Sequence, residues 1–421
     1  MHLIDVLFII EAMKKVILLF TIVILLPVFC SCENLELEDD VLSTAEPIIL
    51  TKSQKAVADQ GNVFALDLLK ACYRDSNDSN LFLSPMGVSM LSYMLANGAE
   101  GETYEEIVKT VGMEGFSLSQ VNGYYTLLAS ALPKVDRSVA FSLANSFWAA
   151  NDLKVRKDFS KALESTFDAE GYSIDFSKKS SLNKVNGWCS DKTSGLIPKM
   201  FDQLNPETRL LLINALYFNG AWTKKFLKDN TKTGIFTTSS GQPMSVPFMN
   251  MTADLNSYQD DEVALVRLPY GNGAFVMEAI MPAGDFNTFL KGLDVEKLNR
   301  WRMAQTHTVQ LQFPKFEMTY DTEEQLPAIL NSLGMKRAFQ LNAEFGKIST
   351  EPLYVSNIRQ KAYLMVDEEG TAAAAVSIAD MRATGYRPSE SPLNLVFDHP
   401  FLFLIRENST GAILFIGTKT K

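Results

Sequence analysis

Fourteen consecutive residues, Thr371 to Thr384, carry no proline and sort by parity. Alternate residues of a strand face opposite sides. One face would hold Thr371, Ala373, Ala375, Ser377, Ala379, Met381 and Ala383, all small except Met381 and none charged. The other would hold Ala372, Ala374, Val376, Ile378, Asp380, Arg382 and Thr384, and so takes both charges. By propensity alone the alanine run reads as helix. The strand reading makes the sharper statement. A segment that slides between two existing strands needs small side chains on its core side and no proline to delete a ladder hydrogen bond. Gly370 supplies a permissive hinge behind Glu368 and Glu369. The segment would span ~46 Å at ~3.3 Å per residue.

Such a move is favourable. Each backbone hydrogen bond gained contributes about 0.5–1.5 kcal/mol net, so roughly ten to twenty bonds could reach on the order of 10 kcal/mol. That rivals the stability of a whole domain, ~5–15 kcal/mol. A loop of this kind held outside its sheet is a spring, and cutting it releases the spring.

The rest of the chain reads as the body such a spring would act on. Val57, Phe64, Ala65, Leu68, Leu69 and Cys72 recur at helical spacing, predicting a helix over 54–73. Further helices are expected at 86–97, 102–111 and 159–167. Val309 to Phe313 alternates as a half-buried strand. Leu210 to Phe218 and Phe401 to Ile405 are nearly continuous apolar runs that suit strands buried on both faces. Residues 412–417 read as the partner of 401–405, and Gly271-Asn272-Gly273 as a hairpin turn. Helices early and strands late give an α+β class, with 53–421 as one domain. The net charge of -10, without a basic block, argues against nucleic acid as a partner. Cys72 and Cys189 sit in apolar surroundings and read as buried free thiols.

The N-terminus reads as an address. Met13-Lys14-Lys15 precedes the apolar run Val16 to Phe29, too short to span a bilayer comfortably. Residues 1–31 are therefore expected to be a signal peptide, with Met13 the start and 1–12 an upstream extension. Ser31-Cys32 resembles a bacterial lipoprotein cleavage site, making Cys32 the lipidated residue. The acidic stretch from Glu33 to Asp40 resembles the surface-export signal of Bacteroidetes lipoproteins. Residues 32–52 would be the tether of an outer-membrane, cell-surface lipoprotein that meets the membrane by its lipid anchor only.

No catalytic motif emerges. Gly87-Val88-Ser89-Met90-Leu91 has only half of a G-x-S-x-G elbow. No metal-spaced His/Cys cluster and no dinucleotide loop is present, so neither an enzyme nor a cofactor is expected. A histidine mechanism would have only His307 and His399 outside the first residues.

Several segments, in order, resemble the serpin family across about 54–421. Asn80 to Pro85 is similar to N-x-F-x-S-P, and Leu95 to Thr103 to L-x-x-G-A-x-G-x-T. Val185 to Ile197 is similar to I-N-x-W-V-x-x-x-T-x-G-K-I, with Cys189 and Leu196 departing from it. Asn214 to Trp222 is similar to N-A-I-Y-F-K-G-x-W. Leu268-Pro269-Tyr270, Pro314-Lys315-Phe316, Asp398-His399-Pro400-Phe401 and the hinge itself also match. The resemblance implies three β-sheets, the main one five-stranded, about nine helices and an exposed reactive-centre loop. It implies an inhibitor, a monomer, whose cleaved loop enters the main sheet and carries the attacking protease with it. A non-inhibitory, carrier-like or chaperone-like member is the alternative. The hinge of such members tends to hold bulky, charged or proline residues, and Thr371 to Ala375 holds none.

Residue by residue, Ser84 and Asn214 match the family's shutter, with Gln360 where a histidine is usual; glutamine cannot titrate. Trp222 matches the breach, Glu368 the hinge carboxylate and Lys315 its lysine partner. Family spacing puts the scissile bond at Thr384-Gly385, with Arg382, Tyr386 and Arg387 as alternatives. These would suit elastase-like or subtilisin-like, trypsin-like and chymotrypsin-like proteases.

Overall fold

The computed structural model describes residues 45–75, 80–322, 325–371 and 391–421. The expected signal segment, Cys32 and most of the tether lie outside them, as do Ala373, Ala375, Arg382, Thr384, Gly385, Tyr386 and Arg387. Nine α-helices are present among the described residues, and none is long and apolar enough to cross a membrane.

The first helix runs Lys52–Asp75 and buries Val57, Phe64, Leu68, Leu69 and Cys72. It starts earlier than its apolar period because Thr51 and Gln54 exchange hydrogen bonds across the first turn. The next helix, Pro85–Gly98, is buried along its whole length. Ser84 caps it by accepting from the Gly87 amide, and Pro85 occupies the first turn, where its missing N–H costs nothing.

Nine strands form one sheet, ordered Leu81–Leu83, Ile413–Lys419, Phe401–Glu407, Phe275–Pro282, Val263–Tyr270, Pro243–Gln259, Gln305–Pro314 and Leu393–Val396, with Lys232–Thr237 also paired to Pro243–Gln259. The two smaller sheets expected from the sequence are thus hydrogen-bonded into one path. The 17-residue strand Pro243–Gln259 joins them, pairing with Val263–Tyr270 near one end and Lys232–Thr237 near the other. Strands Phe275–Pro282, Phe401–Glu407 and Ile413–Lys419 are buried throughout, as their apolar runs require.

The second sheet is ordered Phe316–Asp321, Lys361–Val366, Gly370–Thr371, Leu210–Ala221, Ala140–Ala150 and Ala169–Ile174. Five of these are full strands and the sixth is two residues long. Phe218 and Phe141 pack on Phe275, so the two sheets share one aromatic core.

The opposite face of the first sheet carries an ion cluster which the sequence reading missed. Glu278 is wholly buried and takes Arg406 Nε at 2.8 Å, Arg302 Nε at 3.1 Å and Arg267 Nε at 3.3 Å. Burial pulls the Arg406 guanidinium down to about 10, against the attraction of Glu278. Cys72 and Cys189 are both buried, and burial pushes the Cys189 thiol up to about 12.

Candidate functional site

The chain leaves strand Lys361–Val366 and reverses within four residues. Asp367 makes the turn: its carboxylate accepts from the Glu369 amide at 2.9 Å and the Gly370 amide at 3.2 Å. Its own amide donates to the Gly370 carbonyl at 3.0 Å. Gly370 and Thr371 then run antiparallel to both neighbours, with Thr371 opposite Val366 on one side and Gly220 on the other. Strands Lys361–Val366 and Leu210–Ala221 are therefore parallel to each other, and among the described residues only these two residues lie between them.

Each hinge carboxylate is tied down. Glu368, nearly buried, accepts from Lys315 Nζ at 2.7 Å and Thr231 Oγ1 at 2.7 Å. Burial works to raise its pKa, and these two donors overcome it, so the group lies below the usual carboxylate value. Glu369 takes Lys225 at 2.8 Å and Lys228 at 3.2 Å, and the Lys225 hydrogen bond leads in holding it low. Trp222 Nε1 donates to the Asp367 carbonyl at 2.8 Å, and its ring stacks on Tyr270 with centroids 4.5 Å apart. Tyr270 Oη and Thr371 Oγ1 are 2.6 Å apart, and burial pushes the phenol well above its ordinary range.

Gly370 is required by closeness. A Cβ there would meet the Gly220 carbonyl oxygen at 2.1 Å and the Ala221 Cα at 2.7 Å.

Beyond Thr371, among the described residues, nothing pairs the facing edges of the two parallel strands, and a slot separates them. Its upper part is a pocket between Leu216–Phe218 and Ala362–Leu364, covered by Thr193, Leu196 and Ile197. At mid-height stand Asn214 and Gln360. Gln360 clamps the backbone of Ser84, accepting from its amide at 2.7 Å and donating to its carbonyl at 2.9 Å. Ser84 Oγ donates to the Leu414 carbonyl at 2.8 Å. Asn214 donates to Asn145 Oδ1 at 2.8 Å, and Asn145 donates to the Phe167 carbonyl at 2.8 Å. The lower part is a second pocket between Leu210 and Leu212 on one side and Leu353, Val355, Asn357 and Ile358 on the other.

The structure thus brings Trp222, Lys315, Glu368, Gly370 and Thr371 together at the top of the slot, and Ser84, Asn214 and Gln360 at its middle. Thr231, Lys225, Lys228 and Asn145 were missed; nothing in their local sequence marks them. Ser89 of the half motif is buried against Tyr125 Oη at 2.6 Å. His307 pairs with fully buried Ser257, and His399 lies elsewhere, between Asp398 and the Pro282 carbonyl. The described residues hold no group of three or more His, Cys, Asp or Glu able to bind a metal ion.

The family model described as Serpin (serine protease inhibitor) matches residues 59–421. Iripin-2 of Ixodes ricinus is 32% identical over 372 residues, which cover 86% of this chain and 92% of that protein. Serpin B6 of Macaca fascicularis is 31% identical over 381 residues, covering 86% and 98%. Among solved structures, that of tengpin, a thermophilic serpin in its native state, matches with a TM-score of 0.78 at 28% identity, covering 90% of this chain and 97% of the other.

Proposed function

This chain belongs to the serpin family, and from that premise we propose that it inhibits serine endopeptidases, and cysteine endopeptidases able to cut the same loop, as a suicide substrate. The protease's own nucleophile attacks the Thr384 carbonyl. An acyl bond to Thr384 forms, the peptide bond breaks, and the Gly385 amine leaves with the proton. The freed strand then enters the slot with the protease still attached. The chain supplies bait and spring, and the protease supplies the chemistry.

One observation carries this reading: the slot already holds Gly370 and Thr371 in register with both walls. Continued downward, that register sets Ala373 against Phe218 and Leu364, and Ala375 against Leu216 and Ala362. Ser377 falls between Asn214 and Gln360. Antiparallel partners share a face, and Ala362, Leu364 and Phe218 are buried in the core. The uncharged parity class of the loop is therefore the one that enters the protein.

The test is to mix the full chain with elastase-like, subtilisin-like and trypsin-like proteases and look for a complex that survives boiling in detergent. Cleavage without complex, for every protease tried, would support a non-inhibitory member instead. Mass spectrometry of the nicked loop locates the bond and would displace Thr384 if it finds Arg382, Tyr386 or Arg387. We read the chain as a surface lipoprotein held by Cys32, facing proteases from outside the cell. If Cys32→Ser leaves the protein in the membrane fraction, that anchor is excluded.

A further inference from the structure

One buried carboxylate faces three guanidiniums, and it cannot balance them. Glu278 and Arg406 form the floor of the cluster, with side chains 0% and 1% exposed. Arg302 and Arg267 form its rim at 22% and 13%, and the Nε of each approaches the same oxygen of Glu278. Among the described residues no other carboxylate pairs with any of the three guanidiniums, so two positive charges stand uncompensated where water is largely excluded. Neighbouring acids along the chain are engaged elsewhere. Glu407 gives its two oxygens to Ser409 and Thr410, and Glu262 pairs with Arg300.

The donors are as unbalanced as the charges. Arg406 is held by Glu278 through Nε and by the Gly411 carbonyl through Nη1, each at 2.8 Å. Arg267 spends one terminal nitrogen on Asn408 Oδ1 at 2.7 Å, while its buried Nε faces Glu278 without forming a hydrogen bond. Arg302 hydrogen-bonds through Nε alone, at 3.1 Å to Glu278, which leaves both of its terminal nitrogens without a partner among the described residues. Gly411 makes room for them: its φ is +72°, and an added Cβ would meet Arg302 Nη1 at 2.9 Å. Burial, joined by repulsion from Arg302, pulls Arg267 and Arg406 below the ordinary arginine value, against the attraction of Glu278.

We propose that Arg302 and Arg267, above the floor of Glu278 and Arg406, bind one small tetrahedral oxyanion, inorganic phosphate or sulfate. Paired guanidinium N–H groups match the oxygens of such an ion in a bidentate fork. A divalent oxyanion cancels both uncompensated charges, whereas chloride cancels one and accepts no fork. The rim is mostly buried, so it admits a free ion and excludes a flat lipid surface. The bound ion would tie strand Val263–Tyr270 to the residue that ends helix Val295–Trp301, over strand Phe401–Glu407. It is thus a stabilising ligand of the intact protein, and it stands whether or not the chain inhibits a protease.

The experiment titrates inorganic phosphate into the full chain in a chloride buffer of fixed ionic strength, by calorimetry and by melting temperature. The wild type should bind one phosphate per chain with saturation in the millimolar range or below, sulfate should compete, and the melting temperature should rise by about 2 °C or more. Arg302→Met should weaken binding about tenfold or more, since it removes the fork. Arg300→Gln, two residues away on an exposed side chain, should keep the wild-type response. A rise that never saturates, or that is equal in the wild type and Arg302→Met, is a general salt effect and overturns the site. Should Arg302→Met not fold, the wild-type titration decides alone, because no saturable one-to-one binding in the millimolar range overturns the site. Binding to phosphatidylglycerol vesicles without saturable binding of inorganic phosphate assigns the charge to a lipid surface and overturns it as well.

Discussion

Replacing Gly370 with alanine tests whether the hinge is seated between the two strands. The new Cβ would lie 2.1 Å from the Gly220 carbonyl oxygen, 2.7 Å from the Ala221 Cα and 2.9 Å from the Gly220 carbonyl carbon. All three are backbone atoms of the central strand, so no side chain can rotate aside. Gly370 also has a φ of +157°, which L side chains rarely adopt. The hinge must lift out. Lifting breaks the turn bonds between Asp367 and Gly370, the pairing to Gly220 and Ala221, and the Tyr270–Thr371 contact. About four hydrogen bonds at ~0.5–1.5 kcal/mol each give a loss of roughly 2–6 kcal/mol. For a large domain that is a fall in melting temperature of about 4–10 °C. Scanning calorimetry of the intact Gly370→Ala protein reads it directly, with no dependence on inhibitory activity. A melting temperature within about 1 °C of the wild type would refute the seating of the hinge and the register built on it.

Three further outcomes are expected. Glu278→Gln leaves Arg406, Arg302 and Arg267 around a neutral group, and removing one partner of a buried ion pair costs about 3–5 kcal/mol; an unchanged urea midpoint would contradict the cluster. Glu368 and Glu369 have folded-state pKa values lowered by their donors. Their contribution is therefore fully present above the ordinary glutamate value of about 4.3 and is lost as pH falls through the lowered values. Lys315→Met should flatten part of that acid-side loss in a melting series from pH 6 to pH 3. Gln360→His puts a titratable ring against the Ser84 amide, and protonation would turn its acceptor into a second donor. The variant's melting temperature should drop as pH falls below about 6.5 while the wild type, with nothing to titrate at that position, shows no such step.

Legibility followed the range of the interactions involved. The helix Lys52–Asp75 and the strand pair Phe401–Glu407 with Ile413–Lys419 were visible because an apolar period or run is local. Pro243–Gln259 was not, since polar residues and two prolines along it mask the alternation, and pairing on both sides makes it a strand. The Glu278 cluster joins residues as far apart as 267 and 406. Its one local clue was a carboxylate inside the apolar run Phe275 to Pro282. Of the hinge ties, Lys315 was legible only through family resemblance, while Thr231, Lys225 and Lys228 come from a stretch with no marking pattern.

The residue order alone determined that 371–384, wherever it is extended, presents one uncharged face that is small except for Met381, because side-chain parity along an extended chain is a property of covalent geometry. It determined that Met381 breaks that face and that Gly370 precedes it. The tertiary structure decided which strands flank Gly370 and Thr371. It also gave Gly370 its reason, a carbonyl 2.1 Å from any added Cβ, where sequence alone offered only conformational freedom. Parity says which side of a strand faces inward; only pairing between distant segments says what lies there.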